Sequence, residues 1–87
     1  MVSKNILITN ALGIHLRPAG AMCDTAIKYK SHITFTCGNR QANAKSVISI
    51  LAAGVKCGDE ITLIAEGADE EEAINAVSTT FIESLND

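Results

Sequence analysis

The last part of the chain carries an apolar stripe that fits a helix packed against another layer. Four apolar side chains recur there at intervals of three or four residues, namely Ile74, Val77, Phe81 and Leu85. Upstream, Asp69 and Glu72 fit an Asp-x-x-Glu capping arrangement, and the carboxylates between them favour the positive end of a helix dipole. We therefore predict a helix that begins after Asp69 and buries its stripe against a sheet.

Four β-prone segments and two further helical segments precede this helix. The predicted strands span residues 2–9, 32–36, 40–43 and 60–65, and the predicted helices span residues 16–28 and 46–53. Gly38 and Asn39 form a hairpin signal between the second and third strands, and Ser46 can cap the second helix. The order β-α-β-β-α-β-α predicts an α+β fold, in which helices cover one face of a four-stranded antiparallel sheet.

The length and composition place the chain in a broad class. Its 87 residues predict one domain that spans residues 1–87, since the chain is too short for two cores. Hydrophobic residues make up 47% of the chain, but only three are aromatic, so the core must be mostly aliphatic. The apolar runs are far shorter than a membrane span, and no signal-peptide core follows the N-terminus. We therefore expect a soluble cytoplasmic protein without membrane insertion.

The charges and cysteines exclude two classes of function. All seven Lys and Arg residues lie at or before Lys56, whereas every acid except Asp24 lies after Gly58. The net charge of −3, without interleaved basic and aromatic residues, argues against direct binding of nucleic acid. The basic segments suit a local positive face for an acidic partner. The three cysteines have no metal-ligand spacing, so we predict reduced thiols and no metal site.

The segment from Gly13 to Ala19 carries the chemistry. It places His15 one residue before a predicted helix, and Pro18 falls in the first turn, where its missing N–H costs nothing. Unpaired N–H donors and the positive end of the helix dipole suit an anion, phosphate above all. Arg17 adds a permanent cation whose planar donors match a phosphoryl group. A lone histidine near a helix start is commonly a plain surface residue, but this combination predicts a site that carries phosphate.

The same residues resemble HPr, the histidine-containing phosphocarrier family of the bacterial sugar phosphotransferase system. The family pattern Asn-x-x-Gly-(Leu/Ile)-His-x-Arg-Pro-Ala is matched by residues 10–19, and Lys45-Ser46 matches the serine that opens the next helix. Weaker matches follow in residues 54–61 and 66–70, so the resemblance covers nearly the whole chain without a gap. It implies the family fold, an open-faced β-sandwich of four strands and three helices.

The resemblance also implies a function. His15 would accept a phosphoryl group from phosphorylated enzyme I, which takes it from phosphoenolpyruvate, on the ring nitrogen nearer the backbone. It would then pass the group to IIA units of sugar transporters, while Arg17 stabilises the phosphate. The chain would be a regenerated reactant with no cofactor, not a stand-alone enzyme, and we expect a monomer. A small βα binding module without phosphate chemistry would explain the fold signals but not His15 together with Arg17.

Partner docking and regulation are further implications of the resemblance. Docking is predicted for an apolar patch formed by Leu16, Val47, Ile48 and Leu51, although exposed apolar side chains are also normal on any surface. Ser46 is either a plain N-cap or a site for HPr kinase/phosphorylase, whose product would bind a catabolite-control repressor. A mainly regulatory module switched at Ser46 is therefore the alternative function. Asp24, Gly20 and Leu16 depart from the family pattern and bear on which partners are preferred.

Overall fold

The computed structural model describes residues 1–86, so Asp87, the last residue of the predicted domain, lies outside the described part. The strands are β1 (Val2–Leu7), β2 (His32–Cys37), β3 (Arg40–Asn43) and β4 (Glu60–Glu66). The helices are α1 (Leu16–Ala26), α2 (Val47–Ala52) and α3 (Glu70–Leu85). This confirms the predicted order of elements. None of the helices in the described part is long and apolar enough to cross a membrane.

Two elements, β1 and α1, end two residues earlier than the sequence predicts, and α2 ends one residue earlier. The strand β1 stops before Ile8, where the regular ladder with β4 ends: the Ile8 carbonyl accepts the N–H of Gly58 (2.7 Å), because the N–H of Asp59 turns back to the Lys56 carbonyl (3.0 Å). The helix α1 stops at Ala26, because the N–H of Tyr29 donates to the Ala26 carbonyl three residues back and closes a tighter turn. By contrast, β2 and β4 each run one residue further than predicted.

The four strands form one antiparallel sheet in the order β1-β4-β2-β3. Ile6 on β1 lies opposite Ile61 on β4, and Phe35 on β2 lies opposite Leu63 on β4. All four side chains are buried on the same face of the sheet. The turn at residues 38–39 joins β2 to β3 as the predicted two-residue hairpin.

The helices cover only one face of this sheet. The helix α3 lies over β1 and β4, α1 packs against both α2 and α3, and α2 lies beside β3. The four residues of the predicted α3 stripe are buried: Ile74, Val77, Phe81 and Leu85. On the opposite, uncovered face the side chains are mostly polar, and Thr62 Oγ1 donates to Asn5 Oδ1 (2.9 Å). The predicted open-faced sandwich is thereby confirmed.

Asp69 does not form the capping box that the sequence predicts. It is the N-cap of α3, but its side chain makes no capping hydrogen bond. Its carboxylate instead accepts the backbone N–H groups of Lys30 and Ser31 (2.9 Å each) and the Ser31 hydroxyl. The Glu70 side chain accepts the N–H of Gly67 (3.1 Å). The prediction was wrong because three donors in the loop between α1 and β2 outcompete the single N–H that a capping box offers.

Asp69 should make the stability of the fold dependent on acid pH. Hydrogen bonds from the Ser31 hydroxyl and the Lys30 N–H hold the pKa of the Asp69 carboxyl below its usual range. The charged form therefore stabilises the fold above the unfolded pKa of about 3.9, and this stabilisation is lost as the pH falls through the lower, folded pKa. In a thermal-unfolding pH series, Asp69→Asn should melt below the wild type at neutral pH. The two curves should converge in acid, and parallel curves would contradict the assignment.

Candidate functional site

His15 occupies the N-cap position of α1. Its backbone is extended (φ −109°, ψ −169°), and its carbonyl accepts the N–H of Ala19 (3.0 Å), which is the first hydrogen bond of the helix. The half-buried side chain makes no capping hydrogen bond. The imidazole therefore stands at the positive end of the helix dipole without being used to hold the helix start.

The first turn of α1 places a cation close to this imidazole in the chain. Arg17 is exposed, whereas Pro18 beside it is buried and contributes no N–H. The helix dipole and the guanidinium both favour a dianionic group at this end of α1. No enclosed pocket accompanies the site within residues 1–86. The arrangement can stabilise an anion at the surface, where another macromolecule can reach it.

A tight turn leads the backbone into His15. The N–H of Gly13 donates to the Asn10 carbonyl (3.1 Å), and Asn10 Nδ2 donates to the Gly13 carbonyl (2.8 Å). Asn10 belongs to the family pattern, and its bracing of the turn was not predicted. An asparagine three residues before a glycine is a turn signal that could have indicated it.

The turn rests on a second loop, the one between α2 and β4. Gly13 has φ +65°, and a Cβ atom built there would lie 2.8 Å from Lys56 Cα and closer still to the Val55 carbonyl oxygen. The N–H of Ile14 donates to that same carbonyl (3.1 Å). Only glycine permits both the left-handed conformation and the close approach, so Gly13 fixes the path of the backbone into His15.

Ser46 lies at the N-cap of α2, as predicted. Its Oγ accepts the backbone N–H of Ser49 (3.2 Å), and its side chain is half-buried. The neighbouring hydroxyl is also engaged, because Ser49 Oγ accepts the N–H of Asn43 (2.9 Å). The Lys45 ammonium donates to the Tyr29 carbonyl (2.7 Å) and so ties the start of α2 to the end of α1.

The predicted docking residues differ in exposure. Ile48 is 82% exposed, Leu16 is 68% exposed and Leu51 is 38% exposed, whereas Val47 is half-buried and packs against the core. Because α1 and α2 pack against each other, these side chains lie on neighbouring helices. Leu12, in the turn before His15, is 73% exposed and was not predicted as part of this surface. Its apolar character within a turn was the available signal.

The cysteines form no site with these residues. Cys37 is buried, Cys23 is half-buried against the core, and Cys57 is exposed, with all three thiols free. The other histidine, His32, is exposed at the start of β2, opposite Glu66. Within residues 1–86, no group of His, Cys, Asp and Glu side chains could hold a metal ion. The candidate chemistry therefore centres on the start of α1.

Comparison with known proteins shows the family of the chain. A family model described as the PTS HPr component phosphorylation site matches residues 2–83. The chain belongs to the HPr family. A phosphocarrier protein HPr from Mycoplasma capricolum is 37% identical over 84 residues, which cover 97% of this chain and 94% of that protein. HPr proteins are phosphocarriers of the phosphotransferase system, and the predicted resemblance is confirmed.

Solved HPr structures share the whole fold. The histidine-containing phosphocarrier protein of a Mycoplasma matches with a TM-score of 0.94 at 36% identity, covering 97% of this chain and 96% of that one. An HPr from Thermoanaerobacter tengcongensis matches with a TM-score of 0.90 at 39% identity, covering 100% of this chain and 98% of that one. The arrangement of the sheet and helices is thus the HPr arrangement throughout.

Proposed function

We propose that the chain is a phosphocarrier that accepts a phosphoryl group on His15. The donor is enzyme I, phosphorylated by phosphoenolpyruvate, and the acceptors are IIA units of sugar transporters. The lone pair of Nδ1, the ring nitrogen nearer the backbone, attacks phosphorus as the bond to the donor breaks. A nucleophile of the IIA unit then attacks the same phosphorus, and the bond to Nδ1 breaks, which restores the free imidazole. The position of His15 supports this proposal most strongly, since its side chain lies at the start of α1 and makes no capping hydrogen bond.

The surroundings of His15 suit a carrier better than a stand-alone catalyst. The dipole of α1 and the Arg17 guanidinium stabilise the phosphoryl dianion from one side. The exposed side of the site leaves the group open to the next acceptor. The chain then acts as a reactant that is regenerated in each cycle, and the proposed chemistry needs no cofactor.

Docking is proposed for the apolar side chains around the start of α1 and along α2. Leu16, Ile48 and Leu51 present exposed apolar surface there, and Val47 supports them from its half-buried position. A carrier must release each partner quickly, and a small interface of this kind favours rapid release. We further propose that the chain works as a monomer in the cytoplasm, where enzyme I and the IIA units meet it.

Phosphorus NMR tests the proposed function directly. The chain is mixed with phosphoenolpyruvate and enzyme I, and an acid-labile signal of a phosphorus–nitrogen bond is expected. Addition of a IIA protein should then remove the signal from the chain without release of an equal amount of inorganic phosphate. A chain that takes up no phosphoryl group from active enzyme I would overturn the proposal.

A second candidate function is regulation through Ser46. We propose that HPr kinase/phosphorylase can phosphorylate this hydroxyl, and that the product binds a catabolite-control repressor. Ser46 is followed in the chain by the half-buried Val47 and then by the exposed Ile48. A phosphate there would add about two negative charges beside the docking surface. The added charge would repel an acidic partner and slow phosphorylation of His15.

The assignment of Ser46 is tested with two alanine variants. With the kinase and ATP, the wild type and Ser49→Ala should gain an acid-stable label, whereas Ser46→Ala should gain none. Ser49→Ala is the matched control because Ser49 lies in the helix that Ser46 caps, and its hydroxyl also accepts a backbone N–H. Mass spectrometry of the labelled peptide identifies the modified residue. Equal labelling of Ser46→Ala and the wild type would exclude Ser46.

A further inference from the structure

Arg40 joins the start of β3 to the segment 53–59, which lies between α2 and β4. At the start of β3, its Nη1 donates to the carbonyls of Ala53 (2.6 Å) and Gly54 (3.2 Å) just beyond the end of α2. Its Nη2 lies 3.4 Å from Cys37 Sγ and forms an ion pair with Asp59 (3.7 Å). The fork of the guanidinium thus holds both ends of the segment 53–59 at once, which a single ammonium could not do.

The segment 53–59 links α2 to β4, and part of it is buried in the core. It contains no strand or helix, and Asp59 closes it internally by accepting the N–H of Lys56 on its carboxylate (2.9 Å). The carbonyls of Ala53 and Gly54 follow the last turn of α2, where helical carbonyls lack intrahelical partners. A cation at that end of a helix also meets the negative end of its dipole. Arg40 therefore supplies hydrogen bonds and charge where this segment needs them.

The segment 53–59 in turn supports the backbone that leads into His15. Ile14 donates its N–H to the Val55 carbonyl (3.1 Å). Ile8 donates to the Asp59 carbonyl (2.8 Å) and accepts the N–H of Gly58 (2.7 Å). Residues 8–14 thus lie along the segment that Arg40 holds, and the next residue of the chain is His15.

We propose that Arg40 is a positioning residue for the His15 site, acting through the segment 53–59 and the turn at Gly13. This inference rests on the proposed phosphoryl transfer, because it assigns Arg40 an effect on that step. The hydrogen bonds and the ion pair of Arg40 go to Cys37 and the segment 53–59, and not to His15. Arg40 holds the segment 53–59, and the backbone of residues 8–14 is hydrogen-bonded to that segment. Arg40 thereby sets the orientation of His15 toward the phosphoryl donor.

The test compares Arg40→Gln with two other variants. Arg40→Gln removes the charge and the fork, whereas Arg40→Lys keeps a charge that can still reach one carbonyl. Val77→Ala is the control, because it destabilises the buried core from α3, an element that lies outside both residues 8–14 and the segment 53–59. Phosphoryl transfer from enzyme I is measured as kcat and KM well below the melting temperature of every variant. Hydrogen exchange at the Ile14 amide reports on the loop itself.

A positioning role gives a distinctive pattern of results. Arg40→Gln should lower kcat by about tenfold with KM unchanged, because a small misplacement of a reacting group slows the chemical step without weakening docking. The Ile14 amide should exchange faster in Arg40→Gln, and Arg40→Lys should recover part of both losses. Val77→Ala should melt earlier but keep the wild-type kcat and the wild-type exchange at Ile14.

Two other patterns would overturn the inference. If Arg40→Gln transfers and exchanges like the wild type, Arg40 does not position the site. If Arg40→Gln and Val77→Ala lose kcat in proportion to their melting temperatures, Arg40 acts only on stability. A wild-type chain that accepts no phosphoryl group would instead contradict the proposed function, and it would remove the step on which Arg40 is proposed to act.

Discussion

Replacing His15 with alanine should reduce phosphoryl acceptance to background while leaving the fold intact. The imidazole supplies the only nitrogen nucleophile proposed for the transfer, so no residual carriage is expected. The side chain makes no capping hydrogen bond. The backbone carbonyl of residue 15, which alanine retains, accepts the first hydrogen bond of the helix. Stability should therefore change by less than about 0.5 kcal/mol, as is usual for surface substitutions. Phosphorus NMR with enzyme I and a thermal melt measure the two effects on one sample.

His32→Ala provides the matched control for this experiment. His32 is the other histidine of the chain, and it lies exposed at the start of β2. Phosphoryl acceptance by this variant should equal that of the wild type. Retention of an acid-labile label in His15→Ala, combined with its loss in His32→Ala, would show that the acceptor has been assigned to the wrong ring. A His15→Ala variant that fails to fold would contradict the expectation that the His15 side chain does not stabilise the fold.

The fold was largely predictable because its main signals are local. The stripe of α3 depends only on helical periodicity, and the hairpin between β2 and β3 depends only on a short turn sequence. The placement of His15 at a helix start was also predictable, since Pro18 marks the first turn. Each of these signals lies within a few residues of the structure it predicts.

The supports of the site could not be predicted in this way. Position 13 requires glycine because the Val55 carbonyl lies against it. The Asp69 carboxylate does not cap its own helix because it accepts two hydrogen bonds from Ser31. Arg40 reaches the end of α2 across a sheet edge. All three contacts join residues that are distant in the sequence, and their geometry exists only once the helices have packed on the sheet. Sequence patterns therefore indicated the candidate site residues, whereas tertiary contacts decide how those residues are held.

Replacing Gly13 with alanine should damage both the fold and the site. Residue 13 has φ +65°, and a Cβ atom would press against the Val55 carbonyl and the Lys56 backbone. A side chain in this conformation costs about 1–3 kcal/mol, and relief of the clash adds to it, so we expect a loss of about 3 kcal/mol in the free energy of unfolding. The backbone movement that relieves the clash must also weaken the hydrogen bond from the Ile14 N–H to the Val55 carbonyl. Chemical denaturation gives the first effect, and exchange at the Ile14 amide gives the second.

Gly20→Ala is the control that separates this effect from a general intolerance of alanine. Gly20 lies within α1, has no positive φ, and a Cβ atom there would meet no atom within 4 Å. Alanine in a helix interior is favoured over glycine by about 0.5–1 kcal/mol, so this variant should be more stable than the wild type. Phosphoryl acceptance should fall in Gly13→Ala and persist in Gly20→Ala, although both alanines lie within five residues of His15. Equal stability of the two variants would mean that the close approach of Gly13 to Val55 does not constrain the site.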